Sequence, residues 1–403
     1  MKVSSMDKIK PSKKLAALPP YIFSRINALK AEVSKTKMDV IDLGMGNPDF
    51  PTPSHIVDRL CDTVKNHHLT HRYPQSKGMP RFRKAVAAWM ENRFGVELDP
   101  AKEIISLIGS KEGIAHLCTA YLDPGDYVLV CDPAYPVHFN GVILAGGQVY
   151  SMPIVAENNF LPDLTKVPAN IAKKAKFMFL NYPNNPTAAV IDDKKFLPAV
   201  VAFAKKYGIL VVFDNAYSEL TFGDYVAPSF FEIPGAWDVG LEFHSFSKTF
   251  NMAGWRIGWA CGPSKFLAPL EKLKSFLDYG APTFIQLAAV AALENSQDCV
   301  HTQAAIYERR MKKMVAGLNK IGWPAQETKG TMYLWLKIPP ALAHMKSLDL
   351  AEHLIQETGV VVTPGIGFGA SGEGYIRISL VTHDNRFHDA LLRLKKFIKT
   401  HGK

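Results

Sequence analysis

Phe243-His244-Ser245-Phe246-Ser247-Lys248-Thr249-Phe250-Asn251-Met252-Ala253-Gly254-Trp255-Arg256-Ile257-Gly258 is the stretch from which the rest of the chain can be read. Lys248 stands there among aromatic, hydroxyl and small residues, with Arg256 eight positions further on. Lysines ordinarily occupy solvated faces, so one set in a mostly apolar stretch needs a reason. The plain reason is a lysine at the start of a helix among packed aromatics. The chemical reason is that a partly desolvated amine has a lowered pKa and can condense with an aldehyde such as pyridoxal phosphate. Ser245, Ser247 and Arg256 suit the second reading. Hydroxyls and a guanidinium are phosphate partners, and the guanidinium can engage phosphate oxygens in pairs.

Working outward, the apolar runs at 104–108, 127–131, 176–180, 209–213 and 241–244 are short and do not alternate with polar residues. Such runs read as parallel strands buried on both faces. Helical patterns at 111–122 and 194–207 separate some of them, so the spacing predicts βαβ units and a doubly wound, mostly parallel sheet. In such a sheet the ligand groups are expected beyond the carboxyl ends of the strands. Those ends do deliver polar residues: Asn181 to Thr187 after one run, Asp214 to Tyr217 after the next, and the Lys248 stretch after the last. Ile108-Gly109-Ser110-Lys111 opens a helix, and a helix N-terminus with glycine and serine is a ready phosphate seat.

The flanks differ. Before residue 55 the chain gives a helical segment from Leu18, a short apolar run at 40–43, and a loop rich in glycine and proline from Gly44 to Pro53. Helices are expected from His55 and over 80–94, with loop chemistry at 73–78. A long helical region after Tyr279 runs to about 320, followed by strand patterns at 330–337, 360–363 and 375–379 and a final helix. The predicted organisation is an N-terminal segment belonging in part to a smaller domain (1–54), a large α/β domain (55–295) and a small α+β C-terminal domain (296–403).

Composition sets bounds. The chain has 403 residues, 47% of them hydrophobic and 21% charged, which is the profile of a globular protein with a large core. The formal net charge is +10, but Lys and Arg are spread along the whole chain. That favours anionic small molecules over a nucleic-acid stripe. Five cysteines at wide spacing, with no CxxC, read as buried thiols in a reducing compartment. The first 14 residues carry lysines without an apolar core, and no apolar run approaches a membrane span, so a cytoplasmic enzyme without membrane contact is expected. His67, His68 and His71 read as loop histidines and no metal site is expected. Gly365-x-Gly367-x-Gly369 reads as a turn, because no suitable helix follows it.

Ser245-x-Ser247-Lys248-Thr249-Phe250-x-Met252-x-Gly254-Trp255-Arg256-Ile257-Gly258 resembles the lysine motif of the class I/II, fold-type I aminotransferases, and the resemblance extends from Leu18 to about Phe397. Leu18-Pro19-Pro20-Tyr21-x-Phe23, Met45-Gly46-Asn47-Pro48-Asp49, Ile108 to Gly113 and Pro364 to Gly369 are most similar to the bacterial glutamate–pyruvate (alanine-forming) group. The resemblance implies pyridoxal phosphate as cofactor, held covalently by Lys248, which later moves the proton between Cα and C4′. Asp214 would pair with the ring nitrogen, Tyr217 and Asn185 with the ring hydroxyl, and Tyr135 would stack on the ring. Ser110, Lys111, Ser245 and Arg256 would hold the phosphate, with Ser247 beside them. Tyr73 would reach the phosphate of a neighbouring subunit, which implies a homodimer with shared sites. Arg377 would clamp the substrate α-carboxylate, assisted by Asn185 and Gly46, with Tyr21 in the side-chain pocket. A cis bond at Asn185–Pro186 is also implied.

The activity expected on this reading is transamination, with alanine and 2-oxoglutarate as the leading pair. The candidates to meet a distal carboxylate are the hydroxyls of Tyr21 and Tyr279 and the ammonium of Lys111. A pocket of neutral hydroxyl donors would accept both a carboxylate and a bare methyl group, whereas a fixed cation would be left unpaired beside the methyl. The alternatives are aminotransferases for aromatic amino acids, methionine or LL-diaminopimelate, and a Cβ–S lyase using the same lysine and arginine. A pyridoxal-phosphate-sensing transcription regulator is disfavoured, because only about 17 residues precede Leu18 in this sequence.

Overall fold

The computed structural model describes residues 9–19 and 22–402. In chain order its strands are β1 (Ile41–Asp42), β2 (Ile104–Leu107), β3 (Tyr127–Asp132), β4 (Gln148–Pro153), β5 (Ala175–Asn181), β6 (Leu210–Asp214), β7 (Gly240–Ser245), β8 (Gly258–Cys261), β9 (Tyr333–Lys337), β10 (Val360–Val361), β11 (Thr363–Pro364) and β12 (Tyr375–Ser379). Seven of them form one sheet in the order β2-β8-β7-β6-β5-β3-β4. The run from β4 to β7 is parallel, and β8 is antiparallel to both of its neighbours, so six strands point one way and β8 alone points back. This is the fold-type I α/β architecture, and the carboxyl ends of β2, β5, β6 and β7 share one edge.

The central strands are apolar throughout because helices cover both faces. Phe177, Phe179, Val212 and Phe243 face one layer with the helices Ser110–Tyr121 and Pro136–Ala145. Met178, Leu180, Val211 and Phe213 face another with Phe196–Tyr207. Two strands lie outside the sequence expectation. β4 is an edge strand with mixed exposure and lacks a continuous apolar run. β8 is four residues long and follows directly on the glycine and arginine of the lysine stretch. The helical region after Tyr279 is also not continuous: Thr283–Glu294 and Asp298–Lys320 are separate helices, broken at the polar residues Asn295, Ser296 and Gln297.

A further apolar cluster joins the two ends of the chain. Ile26, Val33, Ile41 and Leu43 pack with Leu334, Leu350, Leu354, Ile376 and Leu394 around the antiparallel sheet β11-β12-β9. β1 pairs parallel to β10, which ties the N-terminal segment to this C-terminal layer. The thiol expectation holds in part. Cys118, Cys131 and Cys261 are buried and Cys299 half-buried, but Cys61 is exposed, and all five are free. No helix among the described residues is long and apolar enough to cross a membrane.

Candidate active site

The reversal at β8 builds the site. The chain leaves β7 at Ser245, makes one helical turn (Phe246–Thr249), and bends through Ala253–Trp255 before re-entering the sheet at Gly258. There Gly258 lies between Ser245 of β7 and Leu107 of β2. The residues just beyond that row therefore converge: Ser247 and Lys248 from one side, Arg256 from the turn, and Gly109 with the helix start at Ser110 from the other. Arg256 is held in the left-handed region at φ 54°, a costly conformation for an arginine that marks a constrained position. Its Nη1 donates to the Ala253 carbonyl at 2.8 Å. Gly109 (φ 84°) leaves room for it, since a Cβ at that position would come within 2.5 Å of Arg256 Nη2. Ser245, Ser247, Lys248 and Arg256 line a cavity of about 140 Å³ together with Ser110, Lys111, Tyr135, Asn181, Asn185, Asp214 and Tyr217.

Lys248 is half-buried, and its Nζ donates to the Gly46 carbonyl at 2.5 Å. Burial depresses its pKa; the positive charges of Arg377 and Arg256 act in the same direction against the opposing pull of Tyr333. The amine is thus available in its neutral, nucleophilic form below the ordinary lysine range. Asp214, 3% exposed, ends β6. Its Oδ2 meets His138 Nε2 at 3.3 Å, and its backbone carbonyl accepts from Asn181 Nδ2 at 2.7 Å. Its Oδ1 is buried without a hydrogen-bond partner. A buried carboxylate oxygen left in that condition is costly unless a bound donor completes it.

A wider cleft of about 820 Å³ opens from the same place and adds Gly46, Tyr333, Phe368 and Arg377. Arg377, 4% exposed, lies on β12 and is fixed on several sides. Nη1 donates to Asn185 Oδ1 at 2.7 Å and Nη2 to the Gly44 carbonyl at 2.9 Å. The rings of Tyr333 and Phe368 lie 4.2 and 4.7 Å from its guanidinium carbon. Nε remains buried and unpartnered. Tyr217 and Tyr333 share a hydrogen bond of 3.0 Å between hydroxyls. Burial, then the neighbouring Tyr333, pushes the Tyr217 phenol up, whereas the charges of Lys248 and Arg377 outweigh burial at Tyr333 and pull it down. Tyr217 therefore stays protonated and can donate to an anionic oxygen in the cavity.

Of the residues expected from sequence, Ser110, Lys111, Tyr135, Asn185, Asp214, Tyr217, Ser245, Ser247, Lys248 and Arg256 come together in the inner cavity, and Gly46 and Arg377 join in the cleft. The Asn185–Pro186 bond is cis. Tyr73 does not reach this chain's own cavity. It is 89% exposed and packs against Tyr279 with ring centroids 5.6 Å apart. Tyr21 lies outside the described residues. Sequence reasoning missed His138 and Tyr333, and it named Asn181 only as the polar end of its strand, without a role. His138 stands three residues after Tyr135, stacked on Phe179 at 5.1 Å, and only the packing shows that it faces Asp214. The His67, His68 and His71 loop is not where potential metal ligands meet. Glu112, His116 and Asp278 do meet, but the buried ammonium of Lys274 already lies 2.9 Å from Glu112 and 3.1 Å from Asp278.

The residues present fit pyridoxal phosphate. A lowered amine, an orphaned buried carboxylate oxygen, an aromatic face, a phenol donor, and a seat of serines, arginine and helix N-terminus match its aldehyde, ring nitrogen, ring, ring hydroxyl and phosphate in turn. Comparison with known proteins agrees. The profile of the family "Aminotransferase class I and II" matches residues 38–393. The LL-diaminopimelate aminotransferase of Desulforudis audaxviator is 50% identical over 384 residues, 95% of this chain and 97% of that one. That of Moorella thermoacetica is 46% identical over 387 residues, 96% of this chain and 98% of the other. Among solved structures, apo-BacF from Bacillus subtilis superposes with a TM-score of 0.93 at 37% identity, covering 98% of this chain and 100% of that one. The alanine-forming group to which the motifs pointed is not where these relatives lie. With its lysine stretch, its sheet and its site all of one kind, the chain belongs to the class I and II aminotransferases and is a pyridoxal-phosphate-dependent aminotransferase.

Proposed function

We propose that the substrates are LL-diaminopimelate and 2-oxoglutarate, with glutamate as the returning amino acid. The observation that carries this reading is Lys111. It lines the same cleft as Lys248 and Arg377, with its Nζ 5.9 Å from the Tyr135 ring centroid and no carboxylate against it among the described residues. A fixed cation in the pocket reverses the argument for alanine, because it would stand unpaired beside a methyl group. LL-diaminopimelate and glutamate both carry a second carboxylate at the far end, so one ammonium serves both halves of the exchange. The names of the two relatives at 46% and 50% identity support the same choice.

The geometry supports the following roles. Pyridoxal phosphate, when bound, supplies an electron sink for charge developing at the substrate Cα. Asp214, steadied by His138, holds a proton on the ring nitrogen, and Tyr217 and Asn185 face the ring hydroxyl. Ser110, Ser245, Ser247, Arg256 and the N–H groups that open the helix Ser110–Tyr121 hold the phosphate, which leaves the Lys111 ammonium for the cleft. Arg377 takes the α-carboxylate, held in plane by Asn185 and Gly44. The Lys248 amine, once released, lies beside Gly46 and carries the proton from Cα. Exposed Tyr73, Tyr279, Phe276 and Leu277 form an apolar surface that we assign to a second copy of the chain, with Tyr73 reaching the partner's phosphate.

Lys111→Met tests the specificity. Losing a charge-assisted contact of about 1.5–3 kcal/mol lowers kcat/KM for LL-diaminopimelate and for glutamate by roughly tenfold to a hundredfold. Alanine, with no distal carboxylate, should change by less than about threefold. Equal losses for all three amino acids would assign Lys111 to the phosphate instead.

A further inference from the structure

The helix Asp298–Lys320 touches the site from behind at two points. Gln303 Nε2 donates to the backbone carbonyl of Lys248 at 2.7 Å. Seven residues on, Arg310 binds both oxygens of Asp49, Nη1 to Oδ1 and Nη2 to Oδ2, each at 2.9 Å. Seven residues are close to two helical turns, so the two side chains leave the same face. Arg310 is 2% exposed, and its other donors go to Asp384 Oδ1 at 3.1 Å and the Leu380 carbonyl at 2.9 Å. The Phe50 ring lies 4.8 Å from its guanidinium carbon.

Asp49 sits in the loop 43–53, and two carbonyls of that loop, those of Gly44 and Gly46, meet residues of the site. The Gly44 carbonyl accepts from Arg377 Nη2 at 2.9 Å and from Thr363 Oγ1 at 2.8 Å. The Gly46 carbonyl takes the Lys248 amine. Beyond Asp49, Thr52 Oγ1 donates to the Asn251 carbonyl at 2.8 Å, inside the lysine stretch, where Asn251 holds φ 53°. Clearance is small, since a Cβ on Gly46 would lie 2.1 Å from the Tyr333 hydroxyl. None of Asp49, Gln303 and Arg310 lines the cavity or the cleft.

We propose that Asp49, Arg310 and Gln303 are positioning residues for amino-acid binding. One helix face grips the backbone of the lysine through Gln303 and the loop through the Arg310–Asp49 pair. This sets the spacing between Lys248 and Gly46 and keeps Gly44 against Arg377. The inference rests on the reading of the Lys248–Arg377 cleft as the substrate site.

The test is steady-state kinetics of the Asp49→Asn holoenzyme with glutamate and LL-diaminopimelate, alongside Arg310→Lys and Arg377→Lys. Asp49→Asn keeps the side-chain volume and leaves Arg310 paired with Asp384, so it is the variant expected to fold normally. The expected result is a rise in KM of about tenfold or more for both amino acids, a kcat within about threefold, and unchanged cofactor affinity and absorbance. Arg310→Lys should act in the same direction, and the Asp49→Asn, Arg310→Lys double variant should be no worse than the poorer single one. Cofactor affinity falling as KM rises would show a merely structural role and overturn the proposal. An unchanged KM in Asp49→Asn beside a raised KM in Arg377→Lys would overturn it while leaving the site in place. An unchanged KM in both would overturn the reading of the cleft itself.

Discussion

Lys248→Ala is expected to keep binding pyridoxal phosphate but to lose the borohydride-reducible bond between cofactor and protein, with turnover falling by about 10⁴-fold or more. The fall combines the loss of the covalent anchor with the loss of the proton carrier, whose role alone is worth roughly 10²–10⁴. The proposed phosphate seat of Ser110, Ser245 and Arg256 is built from the helix start and the β8 turn and does not depend on the Lys248 side chain, which is why binding should survive. Reduction of the holoenzyme followed by peptide mapping checks the assignment, and a reducible adduct on another lysine would end it. The same variant examines the shared site. Mixed with Tyr73→Ala chains, it should regain activity in hybrid dimers, because one of the two sites then has both an intact Lys248 and an intact Tyr73. A fully active single chain by sedimentation would exclude sharing.

Asp214→Ala is expected to slow the half-reaction with amino acid by about 10²–10⁴-fold. The ring nitrogen loses the buried carboxylate that holds its proton, and breaking a buried charge pair costs about 3–5 kcal/mol. His138 cannot substitute. Its ring is fixed flat on Phe179, with an interplanar angle of 8°, and it presents Nε2 to the position of Asp214. Stopped-flow absorbance with a single amino acid reads the step directly, and a rate within about threefold of wild type would contradict the role.

The strands that carry the site were legible because they are buried on both faces: the runs expected at 176–180, 209–213 and 241–244 lie within β5, β6 and β7 to within a residue. The helix Pro80–Phe94 was legible from its periodicity and its opening proline. β8 was not, since its four residues Gly258-Trp259-Ala260-Cys261 carry no run and no alternation, and only pairing with Ser245 and Leu107 defines them. Among site residues, Lys248 and Arg256 show themselves by local context, whereas Arg377 was placed by resemblance alone. Tyr333 could not be placed, because its partner Tyr217 is 116 residues away and nothing local in Thr331-Met332-Tyr333-Leu334 marks it. Asp49, Gln303 and Arg310 lie in ordinary loop and helix sequence, and their meeting is a product of packing. The preference for alanine turned on one residue: Lys111 was read chiefly as a phosphate partner and only secondarily as a cation for the pocket, and the relatives favour the alternative, LL-diaminopimelate.

The exchange of LL-diaminopimelate with 2-oxoglutarate is to be read from the ratio of kcat/KM for LL-diaminopimelate to that for alanine, measured on the wild-type holoenzyme with 2-oxoglutarate as acceptor. A distal carboxylate that meets Lys111 predicts a ratio of about tenfold to a hundredfold or more in favour of LL-diaminopimelate, the worth of one charge-assisted contact. A ratio of one or below would contradict the account of the substrate and restore alanine.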